Sequence, residues 1–312
     1  IVVVVCVIIV ALVLAGVYAL TVLAMRQYRR IKVERANGYA VFKLKRSNIN
    51  FVTTANPFVV INKEVVEFVN EEDENGDIGV NSETKALVCV GNVSKHTMKF
   101  QISMKDGNYK YQLRVRPALA SIAPGKAVEF EMYLTPLCTC AITDKLKLFT
   151  IDMKTNKIVE CDIGIRATTQ VTTRLDPDEL VEEKKLGEGS FGVVFKGTFR
   201  GNVVAIKKMK QIGDGTGNND DEKMSEFERE VAMLDKFRCD FIVHFYGAVF
   251  IKNKTCLVTE FAEYGSMNDL MKSRKGAKPI KKVLRYKILL DAARGIKYLH
   301  SNDILHRDIK PD

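Results

Sequence analysis

Residues 186–199 read LGEGSFGVVFKGTF, a glycine-rich turn that runs into a stretch of β-branched and aromatic residues. The same glycine spacing occurs in dinucleotide-binding folds, where the turn opens directly into a helix. Here Gly192 is followed by Val193-Val194-Phe195, which favours a strand. The sequence therefore predicts a glycine turn between two strands. Glycine lets the backbone of such a turn come close to a phosphate group.

A lysine and a glutamate follow this turn. Lys207 ends the apolar run NVVAI at 202–206, from which its ammonium can reach phosphate charge. After a loop at 211–222, an apolar stripe recurs at helical spacing, formed by Met224, Phe227, Val231 and Leu234. Glu230 lies at one edge of that stripe. Either charged residue alone is usually a solvated surface group, but in this order they predict an ion pair.

Two further segments carry chemistry. Residues 257–266 read LVTEFAEYGS, a strand that ends in a glycine-marked turn. A helix predicted to begin just after Pro279 leads into residues 306–312, HRDIKPD. Asp308 in that stretch can accept a hydroxyl proton.

In this order the segments resemble the front half of a eukaryotic protein kinase of the serine/threonine, tyrosine-kinase-like type. The resemblance implies an α+β bilobal domain over residues 181–312, truncated in its C-lobe. It also implies ATP and Mg²⁺ as cofactors and a protein as substrate. The activity expected is phosphoryl transfer from ATP to protein Ser/Thr hydroxyls in signal transduction.

The resemblance also assigns roles to residues. Lys207, Glu230, Asp308 and Lys310 are the catalytic set, with Lys310 meeting the γ-phosphate. Thr259 is the gatekeeper, and Asp269 reaches the ribose. The ATP-binding set is Leu186, Gly187, Gly189, Gly192, Val194, Ala205, Lys207, Thr259, Glu260, Ala262 and Asp269.

The family pattern next requires an asparagine and an Asp-Phe-Gly metal site beyond Asp312. The metal ligands are therefore expected downstream, none is assigned within the chain, and this fragment is expected to be inactive alone. The alternative is a pseudokinase or membrane scaffold. Lys207, Glu230 and Asp308 together count against it, because an inert site has no physical need for all three.

Residues 1–25 contain no charged side chain, and the stretch is long enough to span a bilayer. A basic juxtamembrane segment, 26–50, follows, which predicts a single-pass receptor-type protein with its C-terminal portion cytoplasmic. This arrangement predicts contact with anionic inner-leaflet lipids and an extracellular ligand of unknown identity. Ala11, Ala15 and Ala19 share one helix face, which allows a homodimer, although alanine is common in membrane helices.

Residues 51–170 alternate between apolar and polar side chains, which predicts an antiparallel β-sandwich. One such run is Val128, Phe130, Met132 and Leu134. The motifs at 90–92, 98–102, 115–117 and 122–125 resemble the major-sperm-protein type of immunoglobulin-like sandwich. That resemblance implies an interaction module, with a rigid spacer as the alternative. Residues 171–180 are predicted to be a linker.

The net charge of +10 raises the question of nucleic-acid binding, but no module of that kind is recognisable and tryptophan is absent. No nucleic-acid partner is therefore expected. The seven cysteines show no paired framework and are predicted to be reduced. The glycosylation triplets at Asn92 and Asn253 are predicted to be coincidental.

Overall fold

A computed structural model of the 312-residue chain describes residues 18, 20–22, 25, 39–189, 192–209, 219–268 and 280–310, without the side chains of 219–221. Two bodies of structure follow one another along the described chain. The first is a pair of β-sheets within residues 41–168, and the second is a mixed unit that begins at Leu180.

The strands of the first body are, in chain order, β1 (Val41–Lys43), β2 (Val52–Thr53), β3 (Val59–Ile61), β4 (Val65–Glu67), β5 (Thr84–Asn92), β6 (Met98–Ser103), β7 (Tyr111–Arg116), β8 (Ala120–Ile122), β9 (Lys126–Pro136), β10 (Ala141–Asp152) and β11 (Ile158–Thr168). One sheet has the order β1-β9-β5-β3-β2, with β7 also paired to β9. The other has the order β4-β11-β10-β6-β8. All pairs are antiparallel except β4 with β11.

The two sheets pack face to face around one hydrophobic core. Along β9 every second side chain is buried, and Val128, Phe130, Met132 and Leu134 are inaccessible to solvent. Phe100 on β6 and Leu148 on β10 meet them from the other sheet. The period-2 alternation in the sequence therefore reports which side chains face the opposite sheet.

Asn92 shows how the core accommodates a polar side chain. Its carboxamide is fully buried and donates to the carbonyl oxygens of His96 and Ile122, both at 2.8 Å. The Asn92 oxygen accepts from the backbone N–H and the hydroxyl of Ser94, at 2.9 and 2.7 Å. Asn92 is buried and hydrogen-bonded through both its amide nitrogen and its oxygen, so its role is structural. This agrees with the prediction that the glycosylation triplet at Asn92 is coincidental.

The second body contains a five-stranded antiparallel sheet with two helices. Its elements are β12 (Leu180–Gly189), β13 (Gly192–Phe199), β14 (Asn202–Met209), helix α1 (Asn219–Lys236), β15 (Phe245–Val249), β16 (Cys256–Glu260) and helix α2 (Lys282–His300). The strand order is β12-β13-β14-β16-β15. Helix α1 begins within the segment 211–222 that was predicted to be a loop.

The membrane span is a correction. Among the residues that the structure describes, no helix has the length and the apolar character needed to cross a bilayer. Of residues 1–25, only 18, 20–22 and 25 are described, and the rest of the predicted span lies outside the described residues. The described chain is instead mostly β-strand with few helices.

The predicted fold class is therefore wrong in its transmembrane helix, and the predicted localisation as a single-pass membrane protein is wrong on the same finding. Hydropathy alone gives the length of an apolar run and not the conformation that it takes. The predicted lipid contact, extracellular ligand and homodimer depended on that span, and no described residue supports them.

Candidate functional site

The glycine turn lies between β12 and β13, as the sequence predicted, with Gly189 opposite Gly192 and Gly187 opposite Val194. A Cβ atom at Gly192 would lie 2.0 Å from the carbonyl oxygen of Lys208, so the fold itself requires glycine there. A Cβ at Gly187 or Gly189 would meet no atom within 4 Å. These two glycines therefore border open space, which leaves room for a ligand against the backbone.

The sheet gathers several predicted ATP-binding side chains on one face. Lys207 is directly opposite Val194 on β13 and Leu257 on β16. Ala205, two residues before Lys207, is directly opposite Thr259. Directly opposed residues of an antiparallel pair share a face, and so do residues two apart on one strand. Val194, Ala205, Lys207 and Thr259 therefore lie on the same face of the sheet.

Helix α1 packs on that same face. Phe227 and Val231 of the predicted stripe are buried in a cluster with Leu257, the residue opposite Lys207. Glu230 lies between them in sequence and is half-buried. Among the described residues no ion pair joins Glu230 to Lys207, although Lys207 has interactions of its own. The helix and the lysine are thus on one side of the sheet, and their ion pair stays a prediction.

The end of β16 and the turn after it form the predicted adenine edge. Thr259 is half-buried, whereas Glu260 and Ala262 are exposed. The N–H of Glu260 donates to the carbonyl of His244 at 2.8 Å, and the carbonyl of Ala262 accepts from Gly265 at 3.1 Å. These bonds fix the backbone of the turn. Leu186, before the first glycine, is 46% exposed, and Asp269 lies outside the described residues.

Asp308 and Lys310 form a second, separate group after helix α2. Their side chains make an ion pair at 3.0 Å and are 70% and 53% exposed, in the order Asp308, Lys310. The N–H of Asp308 donates to Nδ1 of His306 at 3.3 Å. A groove of about 530 Å³ runs beside them, and Val243 and Ile296 contribute to its walls. This groove is not bordered by Lys207 or by the glycines of the turn, Gly187, Gly189 and Gly192.

Residues 180–311 match the family model for protein tyrosine and serine/threonine kinases. The second body of structure therefore carries a protein kinase domain, which covers less than half of the chain. The glycine turn, Lys207, helix α1, the β16 edge and Asp308 all fall within the matched segment of the chain. The sandwich lies before it.

Known relatives of this kinase domain agree with the assignment. The chain is 34% identical to serine/threonine-protein kinase STY17 of Arabidopsis thaliana over 171 residues, which is 55% of this chain and 29% of that protein. It is 27% identical to the probable serine/threonine-protein kinase gdt4 of Dictyostelium discoideum over 222 residues, 71% of this chain and 13% of that one.

The match to the Dictyostelium protein is longer than the kinase-matching segment, so it includes part of the sandwich. The chain spans less than a third of the length of either relative. Several serine/threonine-protein kinases are similar to this chain, which supports the prediction of a kinase domain within it. Protein kinases in general use ATP and Mg²⁺.

The sequence did not reveal the residues that join the kinase domain to the sandwich. Cys138 and Cys140, from the sandwich, and Asp176 offer ligand atoms within 4.8 Å of one another. Both carboxylate oxygens of Asp176 are engaged, one by the Lys110 ammonium and one by the Asp178 N–H. Asp176 is therefore better explained as a structural acid. Asp176 is far from Cys138 and Cys140 in sequence, so no local motif predicted that the three residues lie together.

The Cys138 and Cys140 thiols affect one another. A hydrogen bond between them raises the pKa of Cys138, and burial raises it further. The same bond lowers the pKa of Cys140. Neither thiol is in a disulfide, which agrees with the expected reduced state.

Proposed function

We propose that the protein transfers the γ-phosphate of ATP to Ser/Thr hydroxyls of protein substrates. One observation supports this above the others. The face of the sheet that presents Lys207 is also the face against which Val194, Ala205, Thr259 and helix α1 lie. A cation and small apolar side chains on one face, beneath glycines that border open space, suit a nucleotide.

In this proposal the sheet face binds ATP. Leu186, Val194 and Ala205 contact the base, while backbone groups of Glu260 and Ala262 meet its edge. Gly187 and Gly189 let the turn close over the phosphates, where a side chain would intervene. Lys207 neutralises charge on the α/β-phosphates, and Glu230 holds the lysine in place.

The second group, Asp308 and Lys310, acts on the protein substrate. Asp308 accepts the proton of the attacking hydroxyl and orients its oxygen. Lys310 offers a cation to the phosphoryl group. Mg²⁺, when bound, would neutralise negative charge on the phosphates. Its ligands are not assigned to any described residue. In the described structure Lys310 pairs with Asp308, and we expect substrate phosphate to compete for that lysine.

The test uses two neighbouring lysines of the full-length protein. Lys207→Met should abolish transfer, because it removes the phosphate-facing charge and keeps the length of the side chain. Lys208→Met is the matched control, since Lys208 lies on the opposite face and pairs with Glu182 at 2.6 Å. We expect the Lys208 variant to retain activity.

A third variant separates chemistry from binding. Asp308→Asn should stop turnover and preserve ATP affinity, because it removes the proton acceptor and leaves the sheet face intact. Equal activity in the Lys207→Met and wild-type proteins would refute the site. No transfer by the wild type, with ATP still bound, would favour the pseudokinase alternative, in which the sandwich acts as an interaction module.

A further inference from the structure

A short segment before β12 lies between the sandwich and the kinase domain. The N–H of Ala248 on β15 donates to the carbonyl of Thr173 at 2.8 Å, and the N–H of Leu175 donates to the carbonyl of Ala248 at 2.9 Å. Residues 173–175 thus pair with β15 as an additional edge. A Cβ at Gly247 would lie 2.4 Å from the Thr173 oxygen, so this close approach requires glycine.

Arg174, in the middle of this segment, contacts three parts of the molecule. Its guanidinium pairs with Glu228 of helix α1 at 3.1 Å and lies 3.9 Å from the ring centroid of Phe250. The Asn81 carboxamide is oriented with its oxygen towards Arg174. That oxygen accepts a hydrogen bond from the guanidinium at 3.1 Å. Asn81 belongs to the sandwich. The arginine therefore connects the sandwich to helix α1.

Helix α1 is held at further points on the same side. The Phe250 ring beneath Arg174 packs edge-on against Phe227 of the helix, with centroids 5.3 Å apart. The Thr173 hydroxyl donates to Asp235, near the C-terminal end of the helix, at 3.2 Å. Phe227 lies one turn before Glu230. Contacts of the segment therefore fix both the middle and the end of the helix that presents Glu230.

The sandwich in turn holds the segment. The N–H of Thr139, which follows β9, donates to the carbonyl of Arg174 at 2.8 Å. The N–H of Thr172 donates to the Thr139 hydroxyl at 3.0 Å. Arg174 is thus anchored through its backbone on the sandwich and through its side chain on the helix.

We infer that Arg174 is a positioning residue for phosphoryl transfer: it fixes helix α1, which carries Glu230, against the sheet face of Lys207. The inference rests on the proposed function of Lys207. Apolar contacts alone leave a helix some freedom to slide or rotate on a sheet, because they lack direction. The Arg174–Glu228 ion pair is directional. Together with the Thr173–Asp235 hydrogen bond, it removes that freedom.

The kinetic test compares two arginines in the full-length protein. Arg174→Gln should lower kcat/KM for ATP about tenfold while KM for the protein substrate stays unchanged. Arg174→Lys should keep most of the activity, because it retains a cation between Glu228 and Phe250. Arg200→Gln is the matched control: Arg200 pairs with Glu179 at 2.7 Å and lies 5.0 Å from the Phe199 ring, and no ion pair described in the structure joins it to helix α1. We expect it to behave as wild type.

Epistasis tests the route through Glu230. Arg174→Gln should have no further effect in a protein that already carries Glu230→Gln. Independent, multiplicative losses would overturn the inference, as would equal losses in the Arg174→Gln and Arg200→Gln proteins.

Amide hydrogen exchange, measured without nucleotide, separates this inference from the proposed function. Amide hydrogens of residues 219–236 should exchange faster in Arg174→Gln than in wild type or Arg200→Gln. Unchanged exchange overturns the positioning role even if the kinase is active. Full activity of Lys207→Met overturns the proposed function even if exchange changes. A thermal melt of each variant identifies general unfolding, which would accelerate exchange across the sandwich as well.

Discussion

Replacing Lys110 with methionine should uncouple the sandwich from the kinase domain. The Lys110 ammonium, in the turn before β7, hydrogen-bonds Asp176 at 2.6 Å and Asp178 at 2.9 Å in the turn that precedes β12. The Lys110 side chain is 29% exposed and that of Asp176 only 7%. Methionine keeps the apolar stem and leaves Asp176 as a nearly buried carboxylate without its cation.

The magnitude follows from burial. Removing one partner of a buried ion pair costs about 3–5 kcal/mol in free energy of unfolding. Lys110 is partly exposed and Asp176 keeps a bond from the Asp178 N–H, so screening and that remaining bond reduce the loss to roughly 2 kcal/mol. For a unit of this size the loss corresponds to about 4–8 °C in Tm.

The pH for the measurement follows from the pKa of Lys110. Burial alone would lower the pKa of the ammonium, but its hydrogen bonds to the two carboxylates outweigh burial and raise it above its ordinary value. A raised folded-state pKa means that the contribution is fully present below the unfolded value of about 10.4 and is lost as the pH rises beyond it. Melting at pH 7 therefore measures the whole effect.

Lys147 provides the matched control. It also pairs with two carboxylates, Asp162 at 2.9 Å and Glu160 at 3.3 Å, and its side chain is 27% exposed. Those carboxylates are much more exposed than Asp176, so Lys147→Met should lower the free energy of unfolding less than Lys110→Met does. Lys110→Met combined with Asp176→Asn should recover part of the lost Tm. Equal losses for the two lysine variants, or no loss in Lys110→Met, would refute the reasoning.

Three further outcomes are expected. Asn92→Ala should lower the free energy of unfolding by about 2–4 kcal/mol in urea titrations, because it leaves buried groups unpaired; a change below about 1 kcal/mol would contradict the hydrogen bonds described. The His96 ring and backbone N–H groups lower the pKa of Asp152 to about 2, so its stabilisation is present above the unfolded value and lost as the pH falls towards 2. His96→Ala should therefore reduce the loss in free energy of unfolding as the pH falls from about 4 to 2. An unchanged pH dependence would argue against the His96–Asp152 pair. Burial raises the pKa of the Cys256 thiol to about 12, so iodoacetamide at pH 8 should modify half-buried Cys239 before Cys256, and early loss of Cys256 in peptide mapping would contradict its burial.

Local patterns in the sequence predicted much of this structure. Alternation along β9 identified its buried residues, because the two faces of a strand differ in a strict period of two. The helical stripe at Phe227 and Val231 identified the inner face of helix α1 for the same kind of reason. The residues after Gly192 distinguished a strand from a helix, and on that strand Val194 lies opposite Lys207.

Other features depended on contacts between distant segments. Arg174 was predicted only as part of a linker, because Asn81, Glu228 and Phe250 carry no shared local signal. Helix α2 was predicted from the sequence, yet its apolar residue Leu284 is 46% exposed and no described element covers it. The Lys207–Glu230 pair also depends on where helix α1 lies on the sheet, which spacing along the chain does not determine.

The pairing of residues 173–175 with β15 has a consequence for solubility. The edge of the kinase sheet at Ala248 uses its N–H and carbonyl to bind the chain that arrives from the sandwich. A shortened protein starting at Leu180 would present both groups to solvent on an open strand. Open edges recruit strands from other molecules. Such a kinase domain would therefore tend to self-associate through β15, and an added strand in trans could restore its monomeric state.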